Sequence, residues 1–162
     1  MIKDYGPMFQ SGIASITITP NNKWLFVASR GGNLKQISLE SQEVVDNYGK
    51  IHDDQISCLE TSRDSKWLIT GSLDRHVKRI SVEKREVDKD FGRVCSGSVT
   101  RMKITADGEK LLLGDGSGHL KLISSTDGEL IKDFGKVHED YITGIMVTLD
   151  QKFFFTSSTG GF

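Results

Sequence analysis

A chain of 162 residues has room for one large domain or two small ones, and a fold of that length buries about 70% of the surface its unfolded form exposes. Apolar residues make up 36% and charged residues 27%, with 21 basic against 22 acidic side chains and a net charge of −1, which argues against disorder and leaves no basic field for nucleic acid or an anionic membrane. Only Cys58 and Cys95 are available for a bridge and their spacing fits no metal motif, so a secreted disulfide scaffold is excluded and a reducing, intracellular, cytoplasmic setting is expected.

In chain order, residues 1–8 contain no apolar core and read as neither a signal nor a transit peptide. Apolar patterning then predicts strands over 13–18, 24–28 and 33–39. A strand at 44–48 follows, then a polar loop over 49–55 and a second strand at 56–61. After the turn Ser62-Arg63-Asp64-Ser65 comes 67–71, apolar on both faces as a strand held between two neighbouring sheets should be. Residues 72–75 turn the chain into 76–82, where Val77 and Ile80 flank Lys78 and Arg79. Turn-formers recur every 8–12 residues, no long segment keeps a helical period, and no apolar run approaches the roughly 20 residues that span a bilayer.

The same elements return 43 and 86 residues later. Tyr48-Gly49-Lys50-Ile51-His52-Asp53-Asp54 recurs as Phe134-Gly135-Lys136-Val137-His138-Glu139-Asp140. A shift of 43 aligns the chain without a gap: Gly6, Gly49, Gly92 and Gly135 coincide, as do Ile13, Ile56, Val99 and Ile142, and Asn21, Asp64, Asp107 and Asp150. Leu34, Val77 and Leu120, each followed by Lys, lead into Ile37-Ser38, Ile80-Ser81 and Ile123-Ser124. The units run 1–43, 44–86, 87–129 and 130–162, the last lacking the counterpart of 34–43, one strand and its turn. Four strands in ~40–45 residues make the blade of a β-propeller, so the expected fold is all-β, built of four-stranded antiparallel sheets.

These residues resemble the Trp-Asp (WD) repeat propellers over essentially the whole chain. Gly49 with His52 and Gly135 with His138 look like a spaced version of the family's Gly-His pair, and Ser72-Leu73-Asp74 matches its Ser-x-Asp turn. Ile-Ser replaces the naming Trp-Asp in every complete unit, so Trp24 and Trp67 are not that tryptophan. The Tyr-Gly-Lys-Ile-His linkers and Leu-Lys-Gln-Ile-Ser strand ends are similar to divergent WD repeats of ciliate proteins. The resemblance implies a structural tetrad in which a loop His bonds a strand hydroxyl and is fixed by a turn Asp.

His52, Thr70 and Asp74 have the composition of a nucleophile, base and acid, but the repeats favour the structural role. Where His stands, at 52 and 138, the hydroxyl position holds Thr70 and Thr156; where it is replaced, by Phe9 and Cys95, that position holds Val27 and Leu113. Partners switch together because orphaning one buried group costs ~1–3 kcal/mol while replacing both is nearly neutral. Gly114-Asp115-Gly116-Ser117-Gly118-His119 has the look of a phosphate loop, yet it aligns with the turn at 71–76 and opens no helix. Asp53-Asp54 and Glu139-Asp140 read as solvated loop charges rather than metal ligands. The basic residues Arg75, Lys78, Arg79, Lys84 and Arg85 alternate along strands with acidic neighbours and offer no nucleic-acid groove. Cys95 reads as a semi-buried apolar position, with a redox role as the competing reading.

No catalytic, metal or cofactor site is expected. The function expected is a non-catalytic scaffold that docks a protein or peptide on one face, through Met8, Phe9, Arg30, Lys50, Asp53, Leu73, Arg93, Asp115, Glu139 and Tyr141, with neither nucleic acid nor membrane as partner. A propeller hydrolase or lyase with a site at the channel mouth is the alternative, and an assembly subunit or fragment of a larger WD-repeat protein the third. Known rings of such repeats close with about seven or eight blades. The expected assembly is therefore a head-to-tail homodimer in which the initial strand of each chain completes the last blade of the other.

Overall fold

A computed structural model describes residues 3–160, and among these residues every regular element is a strand. The first sheet is β1 (Ile13–Ile18), β2 (Trp24–Ser29), β3 (Asn33–Ser38) and β4 (Val44–Lys50), paired antiparallel in that order. The second repeats it with β5 (Ile56–Thr61), β6 (Trp67–Ser72), β7 (His76–Ser81) and β8 (Glu86–Arg93). The third holds β9 (Val99–Ile104), β10 (Lys110–Asp115), β11 (His119–Ser124) and β12 (Leu130–Lys136); the fourth pairs only β13 (Ile142–Val147) with β14 (Phe154–Ser158). The sheets are thus out of phase with the sequence units. The first strand of each unit closes the sheet of the unit before it.

Two local devices explain the positions that align every 43 residues. In the first hairpin of each sheet a hydroxyl donates to an acidic or amide side chain two residues on: Thr19 to Asn21, Ser62 to Asp64, Thr105 to Asp107 and Thr148 to Asp150, at 2.5–2.7 Å. That same oxygen accepts an amide two residues further along, closing an Asx turn. In the fourth strand, Asn47, Asp90 and Asp133 accept the amide hydrogens of Gly49, Gly92 and Gly135. These glycines take positive φ and shift the register against the third strand, a bulge that bends the outer edge.

The core lies in slabs between sheets. Phe26, Ala28 and Leu34 meet Ile56, Leu59, Leu68 and Ile80 between the first two. Ile69 and Val77 meet Val99, Met102, Leu111, Leu113 and Ile123 between the second and third, with both cysteines in that slab. Leu112 and Leu120 face Ile142 and Ile145 in the last. A middle strand therefore buries both faces, as the sequence of β6 suggests.

The initial segment, aligned with β4, pairs in no sheet over 3–9, and residues 1 and 2 lie outside the described residues. A fourth strand needs a third strand beside it, and nothing in this chain supplies one ahead of β1. The local bulge nevertheless survives: Asp4 accepts the Gly6 amide hydrogen at 2.8 Å, and Gly6 has φ 63° against 68°, 75° and 71° in the three paired copies.

Candidate functional site

The loops entering the innermost strands and the turns between second and third strands emerge on one face. Their positions are set by groups the sequence repeats. Lys35, Lys78 and Lys121, on equivalent third strands, reach back to the carbonyls of Met8, Ile51 and Val94 at 2.6–3.2 Å. Each ammonium thereby pins the loop that precedes the innermost strand of its own sheet.

His52 follows one of these pinned carbonyls. Its Nδ1 lies 2.9 Å from Asp74 Oδ2 and its Nε2 2.8 Å from Thr70 Oγ1. Asp74 also accepts the amide hydrogens of Asp53 and His76, both at 2.9 Å. Burial holds the His52 imidazole below its ordinary value despite the Asp74 carboxylate. The neutral ring then donates from Nδ1–H to Asp74 and accepts the Thr70 hydroxyl at Nε2. Burial alone would raise Asp74, but the His76 amide, the His52 ring and the Asp53 amide together keep it below the ordinary carboxylate range. His138 and Thr156 make the same contact at 2.8 Å in the fourth sheet.

The loops bearing these histidines also dock on the turn of the preceding sheet. Ile51 and His52 donate their amides to Gly32 O, and Val137 and His138 donate theirs to Gly118 O. Gly32 (φ 81°) and Gly118 (φ 82°) admit no side chain, since a Cβ would lie 2.0 and 1.9 Å from the histidine carbonyl oxygens. The equivalent position before Cys95 is Arg75, at φ 77°, and there no such docking forms. His52 with Gly32, His138 with Gly118 and Cys95 with Arg75 is a pairing across neighbouring units. The pairing is legible in the sequence at a shift of 86 residues.

In the third sheet the acidic anchor has moved. Asp115 is fully buried and does not belong to the exposed face, which corrects its placement there. Its Oδ2 accepts from the Gly97 amide and the Ser96 hydroxyl, and its Oδ1 from the amides of Ser117 and His119, at 2.9–3.3 Å. It performs from the Ser72 position the task Asp74 performs two residues later. Cys95 and Leu113 fill the adjoining space with apolar volume. Burial pushes the thiols of Cys58 and Cys95 up to about 12 each, which removes the thiolate that redox chemistry requires.

The other face residues divide in two. Met8 and Phe9 are half-buried and spent on Lys35, whose ammonium sits 4.9 Å from the Phe9 ring centroid. Leu73 is half-buried, and its carbonyl accepts from Ser98. Arg30, Lys50, Asp53, Arg93, Glu139 and Tyr141 are exposed. The Tyr141 ring covers Gly116, where a Cβ would approach within 3.0 Å. A polar cleft of about 360 Å³ opens in the second sheet between Lys50, His52, Asp74, His76, Lys78 and Asp90. The basic residues of that sheet are largely paired: Lys78 with Asp90, Arg79 with Asp88 and Lys84 with Glu86.

The sequence profile of the family described as "WD domain, G-beta repeat" matches residues 47–79, the stretch that carries His52, Thr70 and Asp74. No curated protein matches the sequence. Among solved structures, hydrazine synthase of Kuenenia stuttgartiensis superposes with a TM-score of 0.82 at 14% identity, over 98% of this chain and 47% of that one. The chain thus spans about half the length of the structure it resembles. Likeness of this kind extends to 1404 chains, so it defines an architecture and selects no activity.

Proposed function

We propose that this array of WD-type repeats is a non-catalytic scaffold that docks a protein or peptide on its loop face. The observation that carries the reading is how the polar groups of that face are used. Thr70 is fully buried and His52 only 2% exposed, both satisfied internally, so neither offers a substrate a nucleophile or a base. Of the side chains that do reach solvent, Lys50 and Arg93 hold one basic position in successive repeats, while the positions of Arg30, of Asp53 and Glu139, and of Tyr141 vary from sheet to sheet. A stiff frame carrying variable, mixed-charge tips suits recognition of a polar protein surface. The scaffold belongs in a reducing compartment, where two buried, unbridged thiols are stable.

The test is quantitative co-purification with the intact chain, comparing the natural protein with an Arg30→Glu, Arg93→Glu, Tyr141→Ala variant. A specific partner should drop at least tenfold with this variant and persist with Lys66→Glu, which lies on the opposite turns. Equal recovery from both would overturn the docking face.

A second reading concerns assembly. The outward faces of the first and fourth sheets carry large exposed apolar side chains, including Ile13, Ile16, Ile18, Met146 and Phe155. Faces of this kind drive association. We propose that two chains close head to tail into a ring of about eight sheets with two-fold symmetry.

A further inference from the structure

The three contacts between neighbouring sheets are copies of one interface, advanced by 43 residues each time. At the second contact an ideal Cβ on Gly71 lies 3.6 Å from Val99 Cβ, and the Ser57 hydroxyl donates to Val99 O at 2.5 Å. At the third, Gly114 abuts Ile142, and the Thr100 hydroxyl donates to Ile142 O at 2.7 Å. At the first, Ala28 and Ile56 occupy these places in one cluster, with Ala14 where the hydroxyl would be. One more step of the same size names Ser157 as the small residue, Thr143 as the donor and Ile13 as the residue received. Both halves exist in this chain, at opposite ends of the array.

We infer that the outer face of the fourth sheet receives the first sheet of a second copy in this same register, with Ser157 against Ile13 and the Thr143 hydroxyl on the Ile13 carbonyl. The inference rests on the ring-closing reading above and concerns packing of faces, not addition of a strand.

Burial supports it position by position. Ile56, Val99 and Ile142 are each 0% exposed, whereas Ile13 is 50% exposed. Leu59, Met102 and Ile145 are 5–9% exposed, whereas Ile16 is 63% exposed. At the other end Phe155, 64% exposed, stands where Phe26, Ile69 and Leu112 are at most 2% exposed. A sheet face turned to water is expected to be polar, and these two faces carry core-type residues instead. The molecule exposes 8929 Å², roughly 900 Å² more than the ~8000 Å² of a closed monomer of its mass. Summed over the two faces each copy offers, that surplus is close to the ~800 Å² a partner buries in one complex of standard size.

The initial segment shapes the receiving side. Lys3 Nζ bonds Gln42 O and Glu43, at the turn between β3 and β4. Arg85, at the corresponding turn of the second sheet, bonds Val45 O of β4 at 3.3 Å. Residues 3–9 therefore lie against the first sheet as β4 lies against the second, in the outer lane of a sheet that would precede β1. The second copy's β13 and β14 enter as the inner lanes of that sheet. Because each copy offers one face of each kind, two copies make two identical contacts and the ring closes.

The test uses full-length chains with single cysteines at Ser157→Cys and Ile13→Cys. The ideal Cβ separations at the two glycine copies are 3.6 and 2.9 Å, so a contact carrying serine in place of glycine needs to open by only a few tenths of an ångström to reach the ~3.5–4.5 Å of a disulfide, and the native thiols are buried and do not compete. Mixed under oxidised glutathione, the two variants should cross-link to each other at least tenfold more than either does to itself. Light scattering on the natural protein should give twice 18.0 kDa, and Ile16→Glu, an exposed position outside every buried cluster, should halve it. A dimer without the 157–13 cross-link would overturn this register and leave ring closure standing. A natural protein that stays at 18.0 kDa would overturn both, whereas growth into open chains carrying the 157–13 cross-link would overturn ring closure alone.

Discussion

The second and third sheets share a backbone and solve the same junction with opposite chemistry. At the second, His52 is sealed under a docked loop, bonded to Thr70 and Asp74 and fitted against Gly32 of the sheet before. At the third, Cys95 and Leu113 pack as apolar volume, Arg75 replaces the glycine, and Asp115 ties the turn from a position two residues earlier. The junction accepts either set because in each the turn carboxylate meets its donors and the remaining space is filled. A buried polar group is costly only when it lacks its partner. The fourth sheet returns to the first solution with His138, Thr156 and Gly118, so the array alternates.

The largest expected effect comes from putting a side chain where the docked loop leaves no room. Gly32→Val should destabilise the fold by ~3 kcal/mol or more, because its Cβ would meet His52 O at 2.0 Å and a β-branched residue resists positive φ. The contrasting change, Arg75→Gly, should be neutral or stabilising by up to ~1 kcal/mol, since φ 77° is strained for arginine. Chemical denaturation of both variants measures the difference. Equal losses would mean that the two junctions do not differ in how the loop docks.

A smaller effect is expected within the polar set. Thr70→Val should cost ~1–3 kcal/mol by orphaning His52, and His52→Phe with Thr70→Val should cost less than the sum of the single changes. The double variant copies the pairing of Phe9 with Val27 in the first unit. Strict additivity in the double-mutant cycle would show that the two side chains are not coupled.

The smallest effect is in pH dependence. His52 sits below its ordinary 6.5 in the folded protein, so the unfolded chain binds the proton more readily. Its contribution is fully present above about pH 6.5 and is lost as pH falls from there towards the folded value. Asp74 is also depressed, but its loss begins only below its ordinary 3.8. Between pH 7 and 5 the slope of stability should therefore flatten in the His52→Phe, Thr70→Val variant. An unchanged slope would place the proton uptake on another group.

Strand positions were readable because each repeat writes its own punctuation. The hydroxyl-x-acid turn and the acid-x-glycine bulge act within a few residues, so patterning located β5 to β7 to within one residue of their ends. The coupling of His52 to Thr70 was legible for a related reason: within one chain, exchange of both partners in register exposes a contact without an atom being placed. Asp115 aligns with Ser29 and Ser72, both fully buried, so its burial follows the register of the repeat and not its charge. Only the packed loop shows four donors converging on its carboxylate.

By itself, then, the sequence determined the period, the strands, the turns and which polar groups must stay together, because those follow from local bonding and from the cost of an orphaned group. Tertiary structure decided what no single repeat contains. It decided that segment 3–9 pairs with nothing within the chain and that Gly32 must be bare because His52 O lies against it. It also decided that Ile13 and Phe155, written like core residues, are left in water. A side chain's exposure depends on whether another sheet stands beside it, and a repeat in sequence cannot say how many neighbours it will have.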